Sequence, residues 1–526
     1  MRTFLRSLVF FFLFNPWVPA QGQAYPAIFN VRDYGAAGDG TTLDTDAINT
    51  AISKASEAGG GQVYFPPGRY LSSSIHLKSH VTLYLESGSV LEAVEDSVKA
   101  YDLPEPNEAG ANYQDYGHSH WQNSLIWGIG LEDIGIMGSG LIYGKGLNPG
   151  FDRFVDESQG KKRYQDGGPG TANKAIALKL CRNVILRDFS ILHGGHFGIL
   201  ATGVDNLTID NLKIDTNRDG IDIDACNNVR VSNCSVNSPW DDGICLKASY
   251  GLGKIRHCEN ITIANCFLTG NLVEGTLLDG TFREADPDYR SFKNGRIKLG
   301  TESNGDFKNI AISNCVFYMA RGIAIESVDG SHIDGVAISN ITMRRGSDTP
   351  VFIRLGSRLR GPDSPPVGSV KRISINNLVV SDARGDFPVE ISGIPGHPIE
   401  DLRLSNLRLN MKGGGDKATG ERTPPENENA YPEPGMFGPD PAYGFFIRHV
   451  SGLELSHIRL DYNTPEGRPA FVLEDVHDAY LDHLNLARGS GEAVFFDLRE
   501  VSDFTVEACR QMADTHIKEV VERQKL

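Results

Sequence analysis

The sequence predicts an all-β solenoid, a parallel β-helix closed by short capping helices. Three observations lead there. A twelve-residue phrase recurs down most of the chain, its apolar positions keep a two-residue period, and its shortest spacing suits one coil of a stack. The phrase reads LCRNVILRDFSI from Leu180, GVDNLTIDNLKI from Gly203, ACNNVRVSNCSV from Ala225 and HCENITIANCFL from His257. Later copies include DFKNIAISNCVF from Asp306, HIDGVAISNITM from His332, SVKRISINNLVV from Ser369 and PIEDLRLSNLRL from Pro398.

The fifth, seventh, tenth and twelfth positions are apolar almost throughout. Such a pattern gives a strand, a polar turn and a second short strand. A unit of about 22 residues, as from Gly203 to Ala225, cannot bury its own apolar face, whereas stacked units can. The ninth position is usually asparagine: Asn211, Asn233, Asn265, Asn314, Asn340, Asn377 and Asn406. In a stack these amides would form a ladder between coils. A β-propeller would need antiparallel blades and a more constant period.

The ends read as caps. Asp44 to Ala58 places Ala47, Ile48, Ala51, Ile52 and Ala55 on one helical face, fit to cover the first coil. The tail over residues 501–526 reads as helical, with the helix from Glu507 to Leu526. The solenoid domain is expected over residues 25–500, with loops leaving it at 271–295 and 412–444.

Arg2 and Arg6 precede a short apolar run, and small residues follow at Ala20 and Ala24. That is a signal peptide over residues 1–20, with cleavage as late as 24, and export to the periplasm or outside the cell is expected. No later segment reads as a membrane span. The net charge of −16 argues against a nucleic-acid partner. An acidic ligand would need a local basic pocket. No cofactor and no metal site is indicated by residue spacing, and a monomer is expected. The cysteines fall in repeat columns, Cys234 with Cys266 and Cys315, and Cys181 with Cys226 and Cys258. Stacked side chains point in parallel, which favours buried thiols over bridges.

Chemistry enters with a phrase used twice, Asp219-Gly220-Ile221 and Asp242-Gly243-Ile244, with Asp241 preceding the second. Aligning the strands before each repeat phrase puts Phe197, Asp219, Asp242 and Arg321 in one column. It also puts Asp222 beside Cys245 and Asp224 beside Lys247. Asp219, Asp241 and Asp242 would then crowd together. Like charges at that distance raise one another's pKa, which an acid/base site exploits. The competing view is that each aspartate caps a turn.

At this point the chain resembles glycoside hydrolase family 28, the polygalacturonases and rhamnogalacturonan hydrolases. The likeness begins with FNVRDYGAAGDGTTLDTDAINTAI and continues through SLIWGIGLEDIGIMGSGLIYGKG. The family's Asn-Thr-Asp-Gly motif appears as Asn217-Arg218-Asp219-Gly220, and its Gly-Asp-Asp motif as Trp240-Asp241-Asp242. The resemblance implies a right-handed, pectin-lyase-like β-helix and an inverting hydrolase of α-linked, galacturonate-containing pectic carbohydrate. The loops at 271–295 and 412–444, long enough to wall off one end of a cleft, favour exo action on short oligosaccharides. It implies that Asp241 is the general acid and that Asp219 and Asp242 hold and deprotonate the attacking water.

Two family features are altered. The coil after the acids carries no Gly-His-Gly, and the Arg-Ile-Lys that holds a substrate carboxylate is replaced by Ala324-Ile325-Glu326. The Arg296–Lys298 sequence lies one coil too early to be its equivalent. Candidate replacement cations are Lys247 and Arg321, on the active strand, then Arg296 and Lys298, with Arg354, Arg358 and Arg360 on later coils. The alternative for the first four is ordinary pairing with Glu302 and Glu326. Asn217, Trp240 and His196 complete the expected substrate contacts, and Trp121 and Trp127 are further stacking candidates. Two other readings stand beside hydrolysis: a polysaccharide lyase, which needs calcium-binding acids and a basic proton acceptor, and a non-catalytic carbohydrate-binding β-helix.

Overall fold

The computed structural model describes residues 27–113, 116–149, 168–284, 293–487 and 494–526. The expected signal peptide and residues 285–292 of the first expected loop lie outside the described residues. The fold is the expected parallel β-helix. Strands Phe197–Thr202, Asp205–Asp210 and Lys213–Asp215 make one coil, and Asp219–Asp224, Asn227–Ser232 and Ser235–Asn237 make the next. Each strand pairs in parallel with its equivalent one coil on. Three parallel ladders therefore run along the axis, at the roughly 4.8 Å spacing of hydrogen-bonded strands.

The fifth and seventh positions of the phrase point inward. Leu207 and Ile209, Val229 and Val231, Ile261 and Ile263, and Ile310 and Ile312 are all buried. Near the C-terminal end, Phe445, Phe471 and Phe496 stack with ring centroids 4.9 Å apart. All eight cysteines are buried thiols, none in a disulfide.

Asparagine supports the corners twice over. The ninth-position ladder runs from Asn265 to Asn233, Asn314 to Asn265, Asn340 to Asn314 and Asn377 to Asn340, at 2.7–3.4 Å. A second ladder, at the fourth position, links Asn206 to Asn183, Asn228 to Asn206, Asn260 to Asn228 and Asn309 to Asn260. Members of both ladders hold a left-handed backbone, with φ of 54–59°. Asparagine accepts that conformation more readily than other side-chain-bearing residues, so one residue type serves both the turn and the stack.

The N-terminal cap is as expected: the helix Thr45–Glu57 buries Ile48, Ala51, Ile52 and Ala55. The C-terminal cap is not a helix. Thr515–Lys525 is a strand, antiparallel to Phe496–Glu507. Its charge pattern resembles that of a surface helix, but Thr515, Ile517, Val520 and Val521 are β-branched, and the last coil presents an edge that a strand can pair.

The second loop packs over the outer face of the strands that follow the acids. Glu433 meets Arg296 and Arg321, and Phe437 lies against the guanidinium groups of Arg354 and Arg448. Asp440 from this loop is buried beside Glu390 of the strand Val389–Ser392. Burial, then Asp440 and Asp348, push the Glu390 carboxyl well above its ordinary range. Burial pushes Asp440 from 3.8 up to about 7.

Two outcomes follow for stability. Asn265→Gly loses amide bonds but keeps the left-handed turn, at about 1 kcal/mol. Asn265→Ala is expected to cost about 1–2 kcal/mol more, because alanine must also hold φ near 58°. Urea unfolding of both variants checks the order. The acids Glu390 and Asp440 bind their protons more tightly folded than unfolded, so their contribution is complete below the unfolded pKa and is lost as pH rises through the folded one. Thermal stability should therefore decline from about pH 4 through about pH 7, and Glu390→Gln should flatten that slope. An unchanged slope would contradict the assignment.

Candidate active site

Asp219 opens the strand Asp219–Asp224, and Asp241 and Asp242 lie in the turn before the strand Ile244–Ala248, one coil on. The register pairs Phe197 with Asp219, Asp222 with Cys245 and Asp224 with Lys247, as expected. On the following coil Ile297 pairs with Ile244. Gly295 therefore stands after Asp242 in the column. The glycines of the two Asp-Gly-Ile phrases have a packing reason. A Cβ on Gly220 would lie 2.5 Å from the Gly243 carbonyl oxygen, and one on Gly243 would lie 3.0 Å from that of Gly295. Glycine lets the coils close at the point where the acids meet. One oxygen from each of Asp219, Asp241 and Asp242 lies within 4.8 Å of the other two.

The three carboxyls have different surroundings. Asp242 Oδ1 accepts hydrogen bonds from Arg296 Nε at 2.7 Å and Asn294 Nδ2 at 3.2 Å, and Lys298 Nζ lies 3.0 Å from Oδ2. Burial alone would raise this carboxyl, but Arg296, Lys298 and Lys247 hold it well below the usual carboxylate range. Asp219 is buried without such a clamp. Burial, then Asp222 and Asp241, push it well above its ordinary value, against the opposing pull of Lys247 and Arg218. Asp241 is more open, and its Oδ2 accepts from Arg218 Nε at 3.0 Å and Nη2 at 2.5 Å. Neighbouring carboxyls pushed apart in this way are the pattern of an acid/base site.

The expected binding residues divide. Lys247 lies 3.1 Å from Glu302 and 3.7 Å from Asp222. Burial opposes its charge, but Cys245, Glu302, Asp222 and Asp219 keep the ammonium protonated. Arg296 and Lys298, ranked second in the sequence, touch Asp242 directly. Arg321 shares the column but is bound to Asp348 at 3.0 Å and Glu433 at 2.6 Å. Glu326 pairs with none of Lys247, Arg296 and Arg321 among the described contacts. The Asn217 carbonyl accepts from the Trp240 backbone N–H at 3.0 Å, and Trp240 remains partly exposed beside Asp241. His196 is buried and stacks on Phe197 at 4.3 Å. Trp121 is a core residue that donates to Thr202. Arg354 is fixed by Ser392 and backbone carbonyls, and Arg358 by Asp329.

Three contributors escaped the sequence reading. His118 Nε2 lies 3.6 Å from Asp222 Oδ2, with its ring 4.8 Å from Phe197. It comes from a segment without the repeat phrase, so nothing placed it here. Glu433 reaches Arg296 from more than a hundred residues away. Arg218 was visible in the quoted motif but was not singled out. Away from the cleft, His457, Asp482 and His483 lie close enough to share a cation at the surface.

Residues 28–124 match the family described as "Rhamnogalacturonase A/epimerase, pectate lyase-like", and residues 168–284 match "Right handed beta helix region". A probable polygalacturonase of Vitis vinifera is 25% identical over 395 residues, spanning 72% of this chain and 73% of that one. An exo-poly-alpha-D-galacturonosidase of Dickeya chrysanthemi is 24% identical over 435 residues, spanning 73% and 68%. The structure of a family 28 exopolygalacturonase from Yersinia enterocolitica superposes with a TM-score of 0.59 at 19% identity, covering 93% of this chain and 80% of that one. Over most of its length this chain is similar to proteins named polygalacturonase and exo-poly-alpha-D-galacturonosidase, and its fold is a right-handed parallel β-helix.

Proposed function

We propose that this protein is an exported, inverting glycoside hydrolase that removes units from the ends of galacturonate-containing pectic oligosaccharides. The observation that carries this reading is the convergence of Asp219, Asp241 and Asp242 from two coils, with oxygens within 4.8 Å and three different electrostatic surroundings. The polygalacturonase relatives supply the substrate class.

In this mechanism Asp241, the most exposed of the three, protonates the leaving oxygen. Asp219 and Asp242 hold the attacking water, and Asp242, kept ionised by its cations, takes the proton that the water loses. With one oxygen from each acid within 4.8 Å of the others, the carboxyls stand closer at their nearest atoms than the roughly 6.5–9.5 Å separation of most inverting enzymes. Inversion is favoured here for a different reason. Arg296 and Asn294 on Oδ1 and Lys298 beside Oδ2 stabilise the charge of Asp242, which weakens it as a nucleophile toward carbon. Water held beside it is then the nucleophile. Action from chain ends is supported by the second loop, which closes over the coils beyond the acids through the Glu433 contacts to Arg296 and Arg321.

Asp241→Asn is expected to lower kcat on trigalacturonate by roughly 10²–10⁴-fold with little change in KM. Steady-state kinetics with reducing-end detection measures it. Unchanged turnover would remove the assignment, and products absorbing through a new double bond would indicate a lyase instead. For the exo assignment, early digestion of a long oligogalacturonate should release one short product, and a ladder of intermediate sizes would contradict it.

A further inference from the structure

The family motif has threonine where this chain has Arg218, and the family's carboxylate-holding Arg-Ile-Lys is here Ala324-Ile325-Glu326. The basic residues around the acids are mostly committed. Arg296 and Lys298 hold Asp242, with side chains 2% and 3% exposed. Lys247 is held by Glu302 and Asp222, and Arg321 by Asp348 and Glu433. The Arg218–Asp241 pair is more open, with side chains 14% and 22% exposed.

Its geometry conflicts with the task given to Asp241. A general acid presents an O–H to the leaving oxygen. Both oxygens of Asp241 instead accept: Oδ2 takes two N–H donors from Arg218, and Oδ1 takes the Asp242 backbone N–H at 3.1 Å. Oδ2 cannot present a proton to a leaving oxygen while that guanidinium remains. A guanidinium fork also suits a sugar carboxylate.

We propose that Arg218 is a specificity-determining residue that senses a substrate carboxylate: it holds Asp241 before binding, passes to the sugar's carboxylate on binding, and so lets Asp241 take up the proton it then donates. The inference rests on the hydrolytic reading above. Charge balances, since one guanidinium exchanges one carboxylate partner for another and the released Asp241 gains one proton from solvent. Other groups share the surroundings of Asp241. Asp242 lies on its own turn and Asp219 on the preceding coil, with Asp222, Lys247, His118 and His196 behind Asp219. Arg296 and Lys298 lie on the following coil, with Glu433 beyond Arg296.

Galacturonic acid and its methyl ester contain no glycosidic bond to cleave, so calorimetry in buffers of different ionisation enthalpy can read affinity and proton uptake together. Wild type is expected to bind the acid about tenfold or more tightly than the ester and to take up about one proton with it. Arg218→Thr should bind both alike without uptake, and Arg218→Lys should keep part of the preference. Asp241→Asn should keep the preference and lose the uptake. An unchanged thermal midpoint shows that each variant is folded.

Retained preference in Arg218→Thr, acid binding by wild type without proton uptake, or binding of neither compound would overturn the proposal. Turnover of trigalacturonate separates the two readings. Uptake that depends on Arg218 without any cleavage would support the handover while overturning hydrolysis. Cleavage that is indifferent to the substrate's charge would do the reverse.

Discussion

The parallel ladder between the strands Asp219–Asp224 and Ile244–Ala248 is the constraint on which the site depends. It fixes Asp219 and Asp242 on adjacent coils, and the glycine after each aspartate lets the backbones close. Bringing carboxyls together at low exposure is costly unless opposite charge accompanies them. The next coil supplies it through Arg296 and Lys298, and the acid strand's own neighbour through Lys247. The resulting asymmetry, with Asp242 ionised and Asp219 inclined to keep its proton, comes from which coil carries the cations.

The altered family motifs acquire meaning in that light. Arg296 and Lys298 are positioned by their coil to act on an acid rather than on a sugar, and Glu433 ties Arg296 to the second loop. The loop is therefore part of the electrostatics around the acids. Arg321 supports the same loop, anchored between Asp348 and Glu433. On the proposal made for Arg218, recognition of a charged sugar falls to the more open pair at Arg218 and Asp241.

Much of this was legible in the sequence because a solenoid converts spacing into contact. The repeat phrase gave the coils, the inward columns and the ninth-position asparagine ladder. The aligned Asp-Gly-Ile phrases gave the meeting of the three acids. What failed to read has several causes. His118 and Glu433 lie outside the repeat, so no column places them, and Arg218 became significant only when its side chain was seen on Asp241. The fourth-position asparagines stood in the same phrases but drew no attention. The C-terminal segment carried helix-like charge spacing, yet pairing with the last coil's edge outweighed local preference.

The central claim is that water, not a carboxylate, attacks within the Asp219–Asp241–Asp242 cluster. Proton NMR of the first-formed product from an α-linked oligogalacturonate, recorded before mutarotation, tests it most directly. The account predicts that the β-anomer appears first and the α-anomer only as equilibrium is approached. An α-anomer formed first would mean a covalent intermediate and would contradict the roles assigned to Asp219 and Asp242.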